Sequence, residues 1–136
     1  MALDASKKRI KDGNPDFRSI VTNNGLYIDK TRYIKELEDI GEFNLVLRPK
    51  RFGKSLFTSM LMYYYDVEYK DEFDKLFGGL YIHEHKTQLS NSYNVLKFDF
   101  SGISSDPDKL EDDFTDKVKM YLKSFIARKD LGFQLE

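Results

Sequence analysis

The sequence contains no cysteine and no tryptophan, and only two histidines and three prolines occur among its 136 residues. The absence of cysteine excludes disulfides, thiol nucleophiles and thiolate ligands for zinc. His83 and His85 flank Glu84 on one short segment, which by itself cannot complete a metal shell. We therefore expect no metal site built from cysteine or histidine, and solvated side chains at both histidines.

Long apolar runs and an excess of one charge are missing as well. No stretch approaches the roughly 18–20 apolar residues that span a bilayer, and the start MALDASKKRIKDGN has no apolar signal core. Lysine and arginine number 22 against 23 acidic residues, so any basic patch that holds nucleic acid must be local. These absences predict a cytoplasmic protein with no membrane partner.

The composition that remains is typical of one globular domain. Apolar residues make up 40% and charged residues 33%, which allows a buried core and a solvated surface. Residues 1–25 are polar and rich in turn formers, so they are predicted to form a loosely held arm that docks through Phe17, Ile20 and Val21. Residues 26–136 are expected to form the domain itself.

Four segments carry the periodicity of helices. Apolar residues at helical spacing predict a helix over 31–40 that ends at Gly41. A broad apolar stretch after Ser55 indicates a helix buried on much of its circumference, and residues 70–77 suit a short amphipathic helix. The longest periodic segment follows Pro107 and predicts an amphipathic helix.

Short apolar runs between these helices predict strands. Residues 43–47 and 93–100 are too short for buried helices and lie between turn-forming residues, which favours core strands, and residues 80–82 are expected to be extended. Strands that alternate with helices indicate an α/β fold with right-handed crossovers. The predicted architecture is an incomplete, mostly parallel sheet with flanking helices, similar to a P-loop NTPase.

A basic turn between the first of these strands and its following helix is the most informative stretch. The basic turn consists of Arg48, Pro49, Lys50, Arg51, Phe52, Gly53, Lys54 and Ser55. Free N–H groups and the dipole at a helix N-terminus favour phosphate. Gly53 allows close approach of the backbone, Lys54 can reach the β- and γ-phosphates, and the Ser55 hydroxyl can ligate Mg²⁺.

The basic turn departs from the pattern G-x-x-x-x-G-K-[ST]. Arg48 stands at the place of the first glycine, and Pro49 lacks an N–H and fixes φ, so the start of the loop must be shaped differently. Arg48, Lys50 and Arg51 could compensate electrostatically for the missing donors. A solvated basic turn that binds nothing remains the alternative interpretation.

Three motifs in order resemble the N-terminal part of the predicted AAA-ATPase-like family of bacterial proteins. These are YIDKT at 27–31, LRPKRFGKS at 47–55 with SML following at 59–61, and FDFSG at 98–102, and the resemblance covers roughly residues 15–125. The loop of that family is similar to R-P-[KR]-R-F-G-K-[ST], so the missing first glycine looks like a family trait.

The resemblance implies binding of ATP or another nucleoside triphosphate with Mg²⁺ through the basic turn, a variant Walker A loop. Lys54 would be the catalytic residue and Ser55 the metal ligand. Longer members of the family often carry a nuclease-like domain of the PD-(D/E)XK type after the ATPase part, so this chain looks like an N-terminal fragment. Its expected protein partner is the missing C-terminal region or another protomer.

Acidic residues for hydrolysis are not evident in the sequence. Asp99 closes the second predicted strand, but relatives place their Asp-Glu pair further downstream, so we interpret Asp99 as a turn or capping carboxylate. Hydrolysis by this chain alone is therefore expected to be weak or absent, with ATPase activity left to the full-length protein. Asp29 or Thr31 is expected to cap the following helix, with Lys30 solvated; the resemblance alternatively implies a contact to base or ribose.

Two other functions stay open at this stage. The basic turn could contact the phosphates of a nucleic acid, or the chain could be a protein-interaction module that keeps the turn as structure. Tyr63, Tyr64 and Tyr65 could stack on bases, but successive residues of a helix point in different directions, so core packing is the preferred interpretation.

Overall fold

A computed structural model describes residues 13–49 and 51–130. Lys50, which belongs to the basic turn, lies outside the described residues. The helical elements are α1 (Phe17–Thr22), α2 (Tyr33–Ile40), α3 (Lys54–Tyr65), a 3₁₀ helix (Val67–Glu72), α4 (Phe73–Phe77), α5 (Tyr81–Glu84) and α6 (Pro107–Lys129). The chain divides into two compact units, Met1–Tyr93 and Asn94–Glu136.

The predicted α/β fold with a mostly parallel sheet is wrong. The described residues are mainly helical and contain no sheet; an isolated bridge joins Asp66 and Tyr93. Residues 43–47 are irregular, and Phe43 and Leu45 expose 93% and 84% of their surface. A strand needs a neighbour for its N–H and C=O groups, and no described segment supplies one to this run or to residues 94–100.

The predicted helices of the first unit are confirmed. α2 ends at Gly41, whose φ is 133° and whose N–H donates to the Leu37 carbonyl. The helix expected after the basic turn is α3, and the one expected over 70–77 begins as a 3₁₀ helix and continues as α4. Of residues 80–82, which are expected to be extended, Leu80 is extended, but Tyr81 and Ile82 lie in α5, so the prediction is wrong for these two.

An aromatic core holds the first unit together. α3 buries its inner face, and the ring of Tyr64 lies 5.6 Å from that of Phe77, which in turn stacks on Phe17 at 5.1 Å. Phe17 and Ile20, which the sequence predicts to dock the N-terminal arm, are buried on α1. The core cluster consists of Phe17, Ile34, Met60, Tyr63, Tyr64, Phe73, Leu76, Phe77 and Ile82.

One carboxylate joins α1 to α3. Asp16 caps α1 by accepting a hydrogen bond from the Ser19 N–H at 2.8 Å. Its other oxygen accepts hydrogen bonds from the Ser59 hydroxyl at 3.2 Å and from the Tyr63 hydroxyl at 2.9 Å. Because Ser59 and Tyr63 lie on α3, the cap fixes the position of that helix as well as the start of α1.

The second unit consists of α6 and the irregular chain before it. Asp106 caps α6 and Pro107 occupies its first turn, as the sequence predicts. The ring of Phe100 stacks on Phe114 at 5.1 Å and Phe98 packs edge-on against Tyr121.

No helix within residues 13–49 and 51–130 combines the length and apolar character that a membrane span requires.

Replacement of a buried ring should lower the free energy of unfolding much more than replacement of an exposed ring. Phe77→Ala removes a fully buried ring and should lower the free energy of unfolding by about 3–5 kcal/mol. Phe43→Ala, at a ring that is almost fully exposed, should change it by less than about 0.5 kcal/mol. Urea denaturation followed by circular dichroism measures both, and equal losses would contradict the core assigned to α3 and α4.

Candidate functional site

Gly53 bends the chain immediately before α3. Its φ of 80° and ψ of 20° lie in the left-handed region, which a glycine adopts without the steric cost of a Cβ. Its carbonyl accepts a hydrogen bond from the Phe57 N–H at 2.9 Å, so α3 begins here. The first N–H groups of an α-helix have no acceptor within the helix, and they carry the positive end of its dipole.

Cationic side chains surround this bend. An apolar cavity of about 220 Å³ opens beside Gly53, and its charged lining consists of Lys30, Arg48, Lys54 and one carboxylate, Glu36. Its apolar walls come from α2, α3 and the chain between them, and include Tyr33, Leu37, Val46 and Phe57. A second, more open cavity of about 610 Å³ adjoins the same bend and is lined by Arg51, Lys54 and Ser55, among others.

These cations have no acidic partner within the described chain. The ion pairs among residues 13–49 and 51–130 join Arg18 to Glu72 and His83 to Asp74. No described carboxylate lies within ion-pair distance of Arg48, Arg51 or Lys54, or of Lys30. The bend therefore carries a local positive charge in a chain whose net charge is -1.

Lys30 approaches the bend from a different part of the chain. A Cβ built on Gly53 would lie 3.8 Å from Lys30 Nζ. Lys30 also lines a third cavity, which it shares with Gly53, Leu56 and Phe57. Lys30 lies in the YIDKT motif at 27–31, for which the resemblance implies a contact to base or ribose as the alternative to a solvated lysine. The spacing of residues along the chain does not place its ammonium group beside Gly53.

The residues on either side of Lys30 are held by hydrogen bonds. Asp29 Oδ1 accepts from the Thr31 N–H and hydroxyl, at 2.8 and 2.7 Å, and Asp29 Oδ2 accepts from the Tyr81 N–H at 2.7 Å. Thr31 Oγ1 accepts from the Ile82 N–H at 3.1 Å. The expectation that Asp29 or Thr31 caps α2 is wrong, because these side chains satisfy the start of α5 and no side chain caps α2.

The surroundings of Asp29 favour its ionised form. Partial burial raises the pKa, but hydrogen bonds from Thr31 and Tyr81, together with the charge of Arg32, outweigh it and hold the pKa of Asp29 below its ordinary value. The Asp29 carboxylate accepts hydrogen bonds from these donors and forms no ion pair with the neighbouring Lys30.

Ser55 offers a hydroxyl on the first turn of α3. The residue is exposed and lines the open cavity beside Arg51 and Lys54. Within residues 13–49 and 51–130, no group of three or more histidine, cysteine, aspartate or glutamate side chains could hold a metal ion. The described lining of the open cavity contains no carboxylate, so the Ser55 hydroxyl is the group of the basic turn that could contribute an oxygen to a Mg²⁺ ion, with water and phosphate oxygens completing its shell.

Asp99 and the two histidines have partners other than the residues of the basic turn. Asp99 does not end a strand; its carboxylate accepts from the Ser101 N–H at 2.8 Å, and the hydrogen bonds from Ser101 lower its pKa, which confirms a turn carboxylate. His83 pairs with Asp74 at 2.9 Å, so it is not simply solvated, and His85 contacts the Tyr81 carbonyl. Tyr63 and Tyr64 are buried, which confirms core packing.

Comparison with known proteins identifies the class of protein that carries this turn. The model of the AAA-ATPase-like family, described as predicted AAA-ATPase, matches residues 12–133. The chain belongs to that family. It is 33% identical over 98 residues to an uncharacterised protein in the vnfD 5′ region of Azotobacter chroococcum mcd 1. That match covers 71% of this chain and 18% of the relative, and no solved structure matches significantly.

The low pKa of Asp29 predicts a pH-dependent contribution to stability. Because its folded-state pKa lies below the unfolded value of about 3.9, the stabilisation is complete above that pH and is lost as the pH falls through the folded-state pKa. The difference in unfolding free energy between wild type and Asp29→Asn should therefore be largest near neutral pH and shrink in acid.

Urea unfolding at pH values between about 7 and 3 measures this difference. Asp39→Asn, at an exposed carboxylate on α2, serves as the control and should change stability little at any pH. A wild-type advantage over Asp29→Asn that stays constant down to the lowest pH would show that the charge of Asp29 contributes nothing.

Proposed function

We propose that the basic turn binds the phosphates of a nucleoside triphosphate, ATP, together with Mg²⁺. The observation that carries the proposal is the left-handed Gly53 at the start of α3, surrounded by cations that no described carboxylate neutralises. A helix N-terminus with free N–H groups and adjacent cations is a suitable site for a polyanion. Membership of the predicted AAA-ATPase family supports the same conclusion.

Five residues of the basic turn have a role in this proposal. Gly53 lets the backbone approach a phosphate oxygen, and the Lys54 ammonium group neutralises phosphate charge. Arg48 and Arg51 steer or clamp further oxygens, a role that their guanidinium groups suit. When Mg²⁺ is bound, it neutralises charge between the phosphates, and the Ser55 hydroxyl would be its protein ligand.

The apolar cavity favours a nucleotide over a nucleic-acid backbone. Its walls, including Tyr33, Leu37 and Phe57, can cover the planar ring of a base, whereas a contact to backbone phosphates alone has no use for them. Glu36 is the one described acidic residue that lines this cavity. No described carboxylate lines the more open cavity beside the Ser55 hydroxyl. Hydrolysis by this chain alone is accordingly proposed to be slow or absent.

Removal of the Lys54 ammonium group should weaken nucleotide binding. Lys54→Ala is expected to raise the Kd for Mg-ATP by tenfold or more, because a charge-assisted contact to phosphate is lost. Lys75→Ala, on α4 and away from both cavities, should leave the Kd unchanged. Isothermal titration calorimetry with Mg-ATP measures both.

Two results would contradict the proposed function. Wild-type protein that releases no heat with Mg-ATP does not bind the nucleotide under those conditions. Binding of oligonucleotides that strengthens with strand length and falls steeply with salt would favour the nucleic-acid alternative instead.

Two glycines with nearly equal positive φ give a matched test of the bend. Gly53 and Gly79 have φ values of 80° and 79°, and a Cβ on Gly79 would meet nothing within 4 Å. Both Gly53→Ala and Gly79→Ala should lose about 1–2 kcal/mol of stability, because alanine is strained in this region. Only Gly53→Ala should weaken Mg-ATP binding, and equal affinities of the two variants would argue against a site at the bend.

A further inference from the structure

We propose that Lys30 is a phosphate-binding residue of the same site, an inference that rests on the proposed function of the basic turn. Lys30 lies 18 positions before Arg48, the first residue of the basic turn, and belongs to the separate YIDKT motif. Its ammonium group and that of Lys54 would contact the polyphosphate of one nucleotide.

The position of the Lys30 ammonium group is the first argument. Its Nζ lies 3.8 Å from the point where a Cβ of Gly53 would stand, so it faces the open side of the bend. Lys30 also lines the apolar cavity together with Arg48 and Lys54. An anion that contacts the backbone at Gly53 would therefore come within reach of this ammonium group.

The lack of a counter-charge is the second argument. Lys30 is half-buried, and no carboxylate within residues 13–49 and 51–130 forms an ion pair with it, so a bound anion would add a charge interaction that the described chain does not supply. The nearby carboxylate of Asp29 is occupied by Thr31 and Tyr81, and Glu36 forms no ion pair with Lys30. A bound phosphate group would supply the missing charge.

The rigidity of the neighbouring backbone is the third argument. The hydrogen bonds of Asp29 and Thr31 to the start of α5 restrain the chain on both sides of Lys30. A restrained lysine loses less conformational entropy when it contacts a ligand than one on a mobile loop does. The arrangement therefore suits a lysine that is preorganised for binding.

Substitution of Lys30 with graded replacements tests the inference. Lys30→Ala should raise the Kd for Mg-ATP by about tenfold, and Lys30→Arg, which keeps the charge, should recover much of the loss. Lys35→Ala removes an exposed lysine of α2 that lines neither cavity and should leave the Kd unchanged. Inorganic pyrophosphate in place of ATP should show the same order of variants, because the proposed contact is to phosphate.

The outcomes distinguish this inference from the proposed function. If wild-type protein binds Mg-ATP and Lys54→Ala weakens the binding while Lys30→Ala does not, the Lys30 contact is overturned and the basic turn stands. If wild-type protein binds neither Mg-ATP nor pyrophosphate, both are overturned. A loss of affinity in Lys30→Ala accompanied by an equal loss in Lys30→Arg, or by loss of the helical circular-dichroism signal, would indicate a structural role and also overturn it.

Discussion

The packing of α3 is the constraint on which the rest of the first unit depends. Its inner face buries Met60 and Tyr64 completely and places them against α1 and α4. Burial of large aromatic side chains provides most of the stabilisation available to so small a core. Asp16 also restrains the orientation of α3, since its carboxylate accepts hydrogen bonds from two side chains of that helix. With the inner face fixed, the first turn of α3 and the bend at Gly53 lie at the surface, where a ligand can reach them.

A second set of hydrogen bonds determines which side chains meet at that bend. Asp29 and Thr31 bind the backbone at the start of α5, about fifty positions further along the chain. These bonds satisfy N–H groups that a four-residue helix cannot satisfy internally. They also fix the backbone on both sides of Lys30, whose ammonium group then lies beside Gly53. The electrostatics of the candidate site thus depend on a polar contact with a distant helix as well as on the motif.

The sequence predicts those features that local interactions determine. α2, α3 and α6 follow from apolar periodicity and from residues at their ends, such as Gly41 and Pro107, because these signals act within a few positions. A strand forms only where another segment of the chain pairs with it. A short apolar run gives no information about such a partner, and the described residues supply none. The helix at Tyr81 and Ile82 is likewise not evident from the sequence, because the donors at the start of α5 are satisfied by the distant Asp29 and Thr31. The basic turn is found from its motif, whereas Lys30 reaches it through tertiary contacts that no spacing encodes.

The departure of the basic turn from the usual glycine-rich pattern has a physical counterpart in its backbone. Arg51 has a φ of 67°, so a non-glycine residue and Gly53 both adopt the left-handed region within three positions. A left-handed conformation costs a non-glycine residue on the order of 1 kcal/mol or more, a cost that glycine would remove. Glycine at this position would also remove a guanidinium group from the lining of the open cavity. An arginine in this strained conformation is consistent with a charge that serves the proposed ligand, since a turn that only connected two elements would have no need of the guanidinium group.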